Sequence, residues 1–325
     1  MKILIAGGAG FIGSHLSKKL LQKGHYIIVV DNLITGDIEN IKELLNKKNF
    51  LFIKADVTCN LKNIPKLDAI FHLSSPASPN DESPISYKKL AMETMLVNSV
   101  GTLKLLKLAK KNQAKFLFAS TSEVYGDPLV HPQKEDYFGN VNPVGPRAIY
   151  DESKRFGETL TSYFVKKENI DGRIARIFNT YGPNMRIDDK RMVVNFIIQA
   201  IQNKPITIFG DGSQTRSLCY VDDLVEGLIK LMFKKNTKGE VINLGNPEEH
   251  TVLEYATIIK KLTGSESKIT FKKPLPQDDP KKRKPDIEKA KKIIDWQPKT
   301  PLEEGLKKTV NYFKLKLKIF DKKIK

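Results

Sequence analysis

The chain has 325 residues, 40% of them hydrophobic and 28% charged. That is enough to bury one large core or two medium ones, and no apolar run reaches the roughly 18 to 20 residues that cross a bilayer. The formal charge is +18, yet only eight of the 55 basic residues are arginine, the better bidentate reader of phosphate, and no nucleic-acid-binding module accompanies the scattered lysines.

The charge therefore reads as solvated faces, and neither nucleic acid nor membrane is expected as a partner. Cys59 and Cys219 offer no disulfide framework. The opening MKILIAGGAG lacks the h-region and cleavage site of a secretory leader. A cytoplasmic protein is expected.

In chain order, KILIA (residues 2–6) is a short apolar run ending in glycine, as a buried parallel strand does. Residues 11–23 show helical spacing, with Phe11, Ile12, His15, Leu16 and Leu20 on one side and Gly24 at the end. YIIVVD (26–31) is a second strand. Next come a helix over 38–47, strands over 50–53 and 68–73, a long helix over 88–111 and a strand over 115–120. A helix over 150–168 and a strand over 172–178 complete this half. Strands alternating with helices specify an α/β fold with a Rossmann-type doubly wound parallel sheet.

Near residue 180 the rhythm changes. Short strands (206–209, 241–244, 268–271), helices and the proline-rich KKPLPQDDPKKRKPD predict a smaller C-terminal α/β domain. The expected division is 1–180 and 181–325, with some later segments packing back on the first domain. Thr300, Pro301 and Glu303 make a capping-box start to a terminal helix. Trp296 is expected as a packing anchor, His72 and His131 as structural residues, and Asp222 and Asp223 as N-caps.

Gly7, Gly10 and Gly13 in GGAGFIG lie between the first strand and first helix. Their spacing gives a tight turn, close backbone approach and helix-on-sheet packing, with a pyrophosphate at the helix N-terminus. Asp31 ends the second strand, where a carboxylate accepts from both ribose hydroxyls. It would repel a 2′-phosphate and no arginine follows it, so NAD is expected over NADP. Asp56 and Val57, after the third strand, flank the adenine.

Tyr150 and Lys154, in YDESK, are four apart on a helical segment and share a face. A tyrosine of ordinary pKa, about 10, is a poor base at neutral pH. A neighbouring ammonium and a cationic nicotinamide ring stabilise the phenolate, which then takes a hydroxyl proton as hydride leaves. Thr121, in STSEVYG, is positioned to bond the same reacting oxygen.

GGAGFIG, VVDN, STSEVYG and YDESK together resemble the extended short-chain dehydrogenases/reductases that act on nucleotide sugars. SSPASP (74–79), ASTSEVYGDPLVHPQ (119–133), NVNPVGPRAIYDESKR (140–155) and ARIFNTYGP (175–183) narrow the likeness to the branch that decarboxylates UDP-glucuronate. GDGSQTR (210–216), YVDDLVEGL (220–228), NLGNPEEHT (243–251) and QDDPKKRKPDI (277–287) extend it over nearly the whole chain.

The resemblance implies an NAD-binding first domain and a nucleotide-sugar-binding second one. Phe11, Ile12, Asn32 and Leu73 join the cofactor contacts, with Tyr150 and Lys154. The related 4,6-dehydratases read Thr-Asp-Glu where this chain has Thr121-Ser122-Glu123, and their aspartate protonates a departing C6 hydroxyl. A uronate has a carboxylate at C6, so the neutral Ser122 fits, and the charge of Glu123 would favour loss of neutral carbon dioxide.

The resemblance further implies a 4-keto intermediate with NAD recycled in the site. Tyr150, aided by Lys154 and Thr121, deprotonates the C4 hydroxyl, the β-keto acid loses its carboxylate, and C5 is protonated. Asn179 and Arg216 sit over the sugar, with Arg216 holding the carboxylate. Arg283 is a candidate for the diphosphate, Asp286 a local cap, and Arg191 and Tyr181 line the pocket. The family's threonine contact near the nicotinamide is missing, because the chain reads Leu96-Val97-Asn98.

A homodimer is expected through the helices 88–111 and 150–168. The rival activities are 4-epimerisation and 4,6-dehydration on the same fold. A rival of another class is a non-catalytic NAD- or RNA-binding protein.

Overall fold

The computed structural model describes residues 1–272, 280 and 282–324, the side chains of 319–324 excepted. Part of the proline-rich stretch and of the QDDPKKRKPDI motif lies outside the described residues.

The first half alternates as its apolar runs require. It comprises β1 (Lys2–Ala6), α1 (Phe11–Gln22), β2 (Tyr26–Asp31), β3 (Phe50–Lys54), β4 (Ala69–His72), α2 (Ala91–Leu96), α3 (Thr102–Asn112), β5 (Lys115–Thr121), α4 (Ala148–Lys167) and β6 (Gly172–Ile177). The second half comprises β7 (Thr180–Tyr181), α5 (Met192–Ile201), β8 (Ile206–Phe209), β9 (Thr215–Ser217), β10 (Cys219–Tyr220), α6 (Val221–Phe233), β11 (Val241–Leu244), β12 (Glu249–Thr251), α7 (Val252–Thr263), β13 (Ile269–Lys272), α8 (Glu288–Ile294) and α9 (Leu302–Ile324).

Seven parallel strands form one sheet in the order β11-β6-β5-β4-β1-β2-β3. The order reverses between β1 and β4, and the crevice at the carboxyl ends of those strands is where such sheets bind ligands. Successive side chains of a strand face opposite ways. Thus Ile3 and Ile5 enter one core with Leu16 and Leu20 of α1 and Leu224 and Leu228 of α6. Leu4 and Ala6 enter the other core with Leu105 and Leu106 of α3 and Phe164 of α4.

The departures from expectation have local causes. The helix expected over 38–47 is a 3-10 segment, Ile38–Leu44. Asp37 accepts from Glu39 N at 3.0 Å and the Asn40 amide reaches back to Ala9 O at 3.0 Å, which ties this segment to the glycine turn. The long helix over 88–111 is divided by a widened π turn at Val97–Gly101, a form that recurs at functional sites. There Asn98 Nδ2 donates to Thr94 O, Ser75 Oγ and Ser153 Oγ, pinning the turn to α4.

The strand over 241–244 belongs to the large sheet, paired with β6 from Val241 opposite Ile174 onward. Asp222 and Asp223 lie inside the first turn of α6 and are not its caps. Asp222 meets His15 at 3.5 Å, and Asp223 accepts from Thr300 N at 2.9 Å, fixing the approach to α9 from outside. A reciprocal capping box joins Thr251 and Glu254 at the start of α7. Trp296 is buried, and its Nε1 donates to Asp223 O at 2.9 Å.

Three small two-stranded pairings, β7 with β10, β9 with β12 and β8 with β13, stand beside the sheet with α5, α7 and α9. Among the described residues no helix is long and apolar enough to cross a membrane.

Candidate active site

One cleft runs along the carboxyl ends of β1, β2, β4, β5 and β6. At one end β1 turns into α1 through the three glycines. Gly7 has φ +81°, and a Cβ there would sit 2.8 Å from the Leu73 backbone. A Cβ on Gly13 would lie 2.1 Å from Gly7 O, so the turn closes only without side chains. The first turn of α1 holds no acidic residue and, among the described residues, no side-chain cap, which leaves its amides and positive dipole end for an anion.

Asp31, 8% exposed, accepts from Ala9 N at 3.0 Å and Leu33 N at 2.9 Å, and burial raises its pKa against those two bonds. Asn32 donates to Asp56 at 2.9 Å. Burial opposes ionisation of Asp56, but hydrogen bonds from Thr58 and Asn32 outweigh it and hold its carboxyl below the usual range. Val57 and Leu73 complete an apolar slot beside them. A bare helix N-terminus, a turn that excludes any Cβ and an anchored carboxylate on β2 fit a dinucleotide.

At the other end β5 delivers Thr121, Ser122 and Glu123, and α4 delivers Tyr150 and Lys154. Thr121 accepts from Glu123 N at 3.2 Å, which fixes the strand end. Tyr150 is buried against Tyr87, the two rings stacked at 5.0 Å and 12°. Lys154 Nζ donates to Ala119 O at 2.7 Å and lies 5.7 Å from the Tyr150 ring centre. Burial pushes the Lys154 ammonium down to about 7. Burial, then the charge of Glu123, holds the Tyr150 phenol above its ordinary range, with a Thr121 hydrogen bond opposing. The expected stabilisation of the phenolate rests on the ammonium and a cationic nicotinamide ring together.

Glu123 is not a bare charge. Arg283 forks onto both of its oxygens, with Nη2 to Oε2 at 2.8 Å, and Arg147 Nη2 donates to Oε2 at 2.5 Å. Both arginines are buried, and together they hold the Glu123 carboxyl well below its usual range despite its burial. The expectation that the charge of Glu123 drives loss of neutral carbon dioxide meets a carboxylate whose charge two guanidiniums offset. Arg147 escaped the sequence reading. Its signal was its position three residues before Tyr150, one helical turn away.

The cleft gathers most of the expected set: Gly7, Gly10, Phe11, Ile12, Gly13, Asp31, Asn32, Asp56, Val57, Leu73, Thr121, Ser122, Glu123, Tyr150, Lys154, Asn179 and Arg191 all line it. Arg191 is bidentate on Asp189 at 2.6 and 2.7 Å. Three expected residues stand elsewhere. Tyr181 is a core residue whose hydroxyl donates to Leu302 O at 3.2 Å and whose ring leans on Gly305. Arg216 lies on β9, opposite His250 of β12, and donates to Thr215 O at 2.8 Å. Arg283 does not itself line the cleft but bonds Glu123, which does.

His72 is buried on Thr102 at 3.0 Å and His131 meets Glu249 at 3.1 Å, outside this chemistry. Asp286 accepts from Glu288 N at 2.9 Å, at the start of α8.

A glycine turn for a dinucleotide and a Thr-Tyr-Lys centre on a seven-stranded parallel sheet define a short-chain dehydrogenase/reductase-type enzyme. Residues 3–245 match the NAD dependent epimerase/dehydratase family, and the chain belongs to that family. It is 51% identical over 316 residues to UDP-glucuronic acid decarboxylase 1 of Danio rerio, covering 97% of this chain and 73% of that one. It is 49% identical over 318 residues to UDP-glucuronic acid decarboxylase 6 of Arabidopsis thaliana, covering 98% and 90%.

Among solved structures, UDP-glucuronic acid 4-epimerase from Bacillus cereus, in complex with UDP-glucuronic acid and NAD, superposes with a TM-score of 0.83 at 32% identity over 97% of this chain and 99% of that one. UDP-glucose 4-epimerase from Thermotoga maritima with UDP-glucose gives 0.86 at 32% identity over 98% and 100%.

Proposed function

We propose that this enzyme decarboxylates UDP-glucuronate to UDP-xylose through a 4-keto intermediate, the activity its relatives are named for. The observation that carries the reading is the charge at the reactive end. Ser122 is neutral where the 4,6-dehydratases it resembles have an acid, and Glu123 is offset by Arg147 and Arg283, so a C6 carboxylate meets no net negative charge.

The glycine turn and Asp31 would hold NAD, which would supply a reversible hydride acceptor for C4 and a cationic ring beside Tyr150. The chain's own residues do the rest. Tyr150 takes the C4 hydroxyl proton while Thr121 holds the same oxygen. Lys154, fixed on Ala119 O, keeps positive charge beside the phenol. With C4 a ketone, the C5–C6 bond breaks to release carbon dioxide, and its electron pair settles on the C4 oxygen between Tyr150 and Thr121. A proton drawn from solvent then adds to C5, and Tyr150 returns its own proton to the C4 oxygen as the ketone is reduced. Asn179 and Arg191, which line the same cleft, orient the sugar, and Arg283 acts through Glu123.

Residues 1–180 serve the cofactor and 181–325 the nucleotide sugar. A homodimer through α2, α3 and α4 is supported by Met92 and Leu96 of α2, Val100 of the π turn, and Phe156 and Tyr163 of α4, large apolar side chains that are exposed. The unpaired Cys59 and Cys219 suit the reducing cytoplasm.

The rival is 4-epimerisation, favoured by the likeness to a UDP-glucuronic acid 4-epimerase. Both reactions pass through the same ketone, and only one evolves gas. The test is UDP-glucuronate with NAD⁺, followed by carbon dioxide release and the mass of the sugar product. Carbon dioxide with a UDP-pentose is expected, and Tyr150→Phe should slow its release by about 10²- to 10⁴-fold. A UDP-hexuronate isomer without gas would overturn the reading.

A further inference from the structure

We propose that Tyr87 is a positioning residue for the base, a stacked ring that fixes the plane of Tyr150 and keeps water from its face. This rests on the role of Tyr150 given above and goes beyond it.

The rings lie face to face, 5.0 Å apart and 12° from parallel, with Tyr87 1% exposed. Lys154 Nζ is 5.7 Å from the centre of the Tyr150 ring and 4.9 Å from that of Phe118. The base is thus contacted by an aromatic face and by the ammonium. A phenol has two side-chain torsions, and a neighbouring aromatic face removes most of that freedom. Only one orientation holds the Tyr150 oxygen beside Thr121.

The segment that carries Tyr87 is itself anchored. Tyr87 N donates to Ser78 O at 3.0 Å, and Leu90 N to Ser86 O at 3.0 Å. Ser78 Oγ donates to Asp189 O at 2.8 Å, Ser83 Oγ to Asp188 O at 2.7 Å and Asn80 Nδ2 to Lys190 O at 2.9 Å. These last three bonds reach the loop that presents Arg191 to the cleft. One rigid segment therefore sets both the base and an arginine that lines the same cleft.

The working part is the ring. The Tyr87 hydroxyl meets no hydrogen-bond partner among the described residues. Burial is the first cause that holds the Tyr150 phenol up, so taking the ring away admits water and relaxes that effect. Two consequences separate positioning from mere packing: turnover falls, and the base ionises at lower pH.

The experiment compares wild type, Tyr87→Phe, Tyr87→Leu and Tyr150→Phe as full-length chains with NAD. It measures kcat and KM on UDP-glucuronate across pH, with thermal melting and calorimetric NAD affinity as checks on the fold. Tyr87→Phe keeps the ring and should hold kcat within about twofold. Tyr87→Leu should lower kcat about 5- to 10-fold, the value of an aromatic pair. It should leave KM near wild type and move the acid limb of kcat/KM to lower pH. Should Tyr87→Leu not fold, Tyr87→Met, an unbranched filler, takes its place.

A kcat and acid limb unchanged from wild type would overturn the proposal. So would a kcat loss with no shift of the limb, or an equal loss in Tyr87→Phe, which would assign the effect to packing or to the hydroxyl. Gas release by Tyr150→Phe at the wild-type rate would instead condemn the role of Tyr150.

Discussion

Glu123→Gln isolates the ionic centre of the site. The substitution keeps shape and volume but leaves the buried guanidiniums of Arg147 and Arg283 facing a neutral amide. Breaking a buried ion pair by neutralising one partner costs about 3–5 kcal/mol, because the surviving charge is stranded away from water. The unfolding entropy of a chain this long is about 0.7 kcal/mol/K, so the melting temperature should fall by roughly 4–7 °C at pH 7.

The pH dependence follows from the sign of the Glu123 shift. Its folded pKa is depressed, so its stabilising effect is fully present above the unfolded value, about 4.3, and is lost as pH falls further. The gap between wild type and Glu123→Gln should be constant from pH 8 to 5 and close below about pH 4. Scanning calorimetry of both proteins over that range provides the measurement. A variant melting within 1 °C of wild type at pH 7, or a gap that persists unchanged into acid, would refute the idea that Glu123 is the counter-ion of two arginines.

Lys154→Met tests the buried ammonium. Its folded pKa, about 7, lies below the unfolded value of about 10.4, so the unfolded chain binds the extra proton between them. Wild-type stability should therefore gain a component that rises with pH from about 7 to 10. Lys154→Met should lack it, and melting curves of the two proteins across that window should converge as pH rises. Gly13→Ala places a methyl 2.1 Å from Gly7 O. Calorimetry should find NAD affinity lowered by at least about tenfold, because the backbone turn that meets the pyrophosphate must open.

The parts of the site that were legible in the sequence are those whose chemistry is local. Gly10 and Gly13 need to be glycine because of contacts with Gly7, within six residues of chain, and Tyr150 and Lys154 meet because four residues make about one turn of α4. The sheet was legible for the same reason, since each strand announces itself by its own apolar run. The strand Val241–Leu244 was assigned to the wrong neighbourhood because its partner, β6, lies more than 60 residues earlier.

The arginines show where local reasoning ends. Arg216 and Arg283 are chemically identical candidates for an acidic partner, and nothing within a few residues of either distinguishes them. Tertiary threading does. Ser217 Oγ donates to Arg283 O at 3.2 Å, and Gln133 bonds Lys284 in both directions, at 2.9 Å each. The 283–286 segment is thereby drawn between β9 and the loop after β5, and Arg283 is delivered to Glu123 across 160 residues of chain. Arg216 is held instead on β9, its backbone opposite His250 of β12. A charge can be recruited from any distance along the chain, so its partner is decided by topology, whereas a glycine turn or an i,i+4 pair carries its reason within itself.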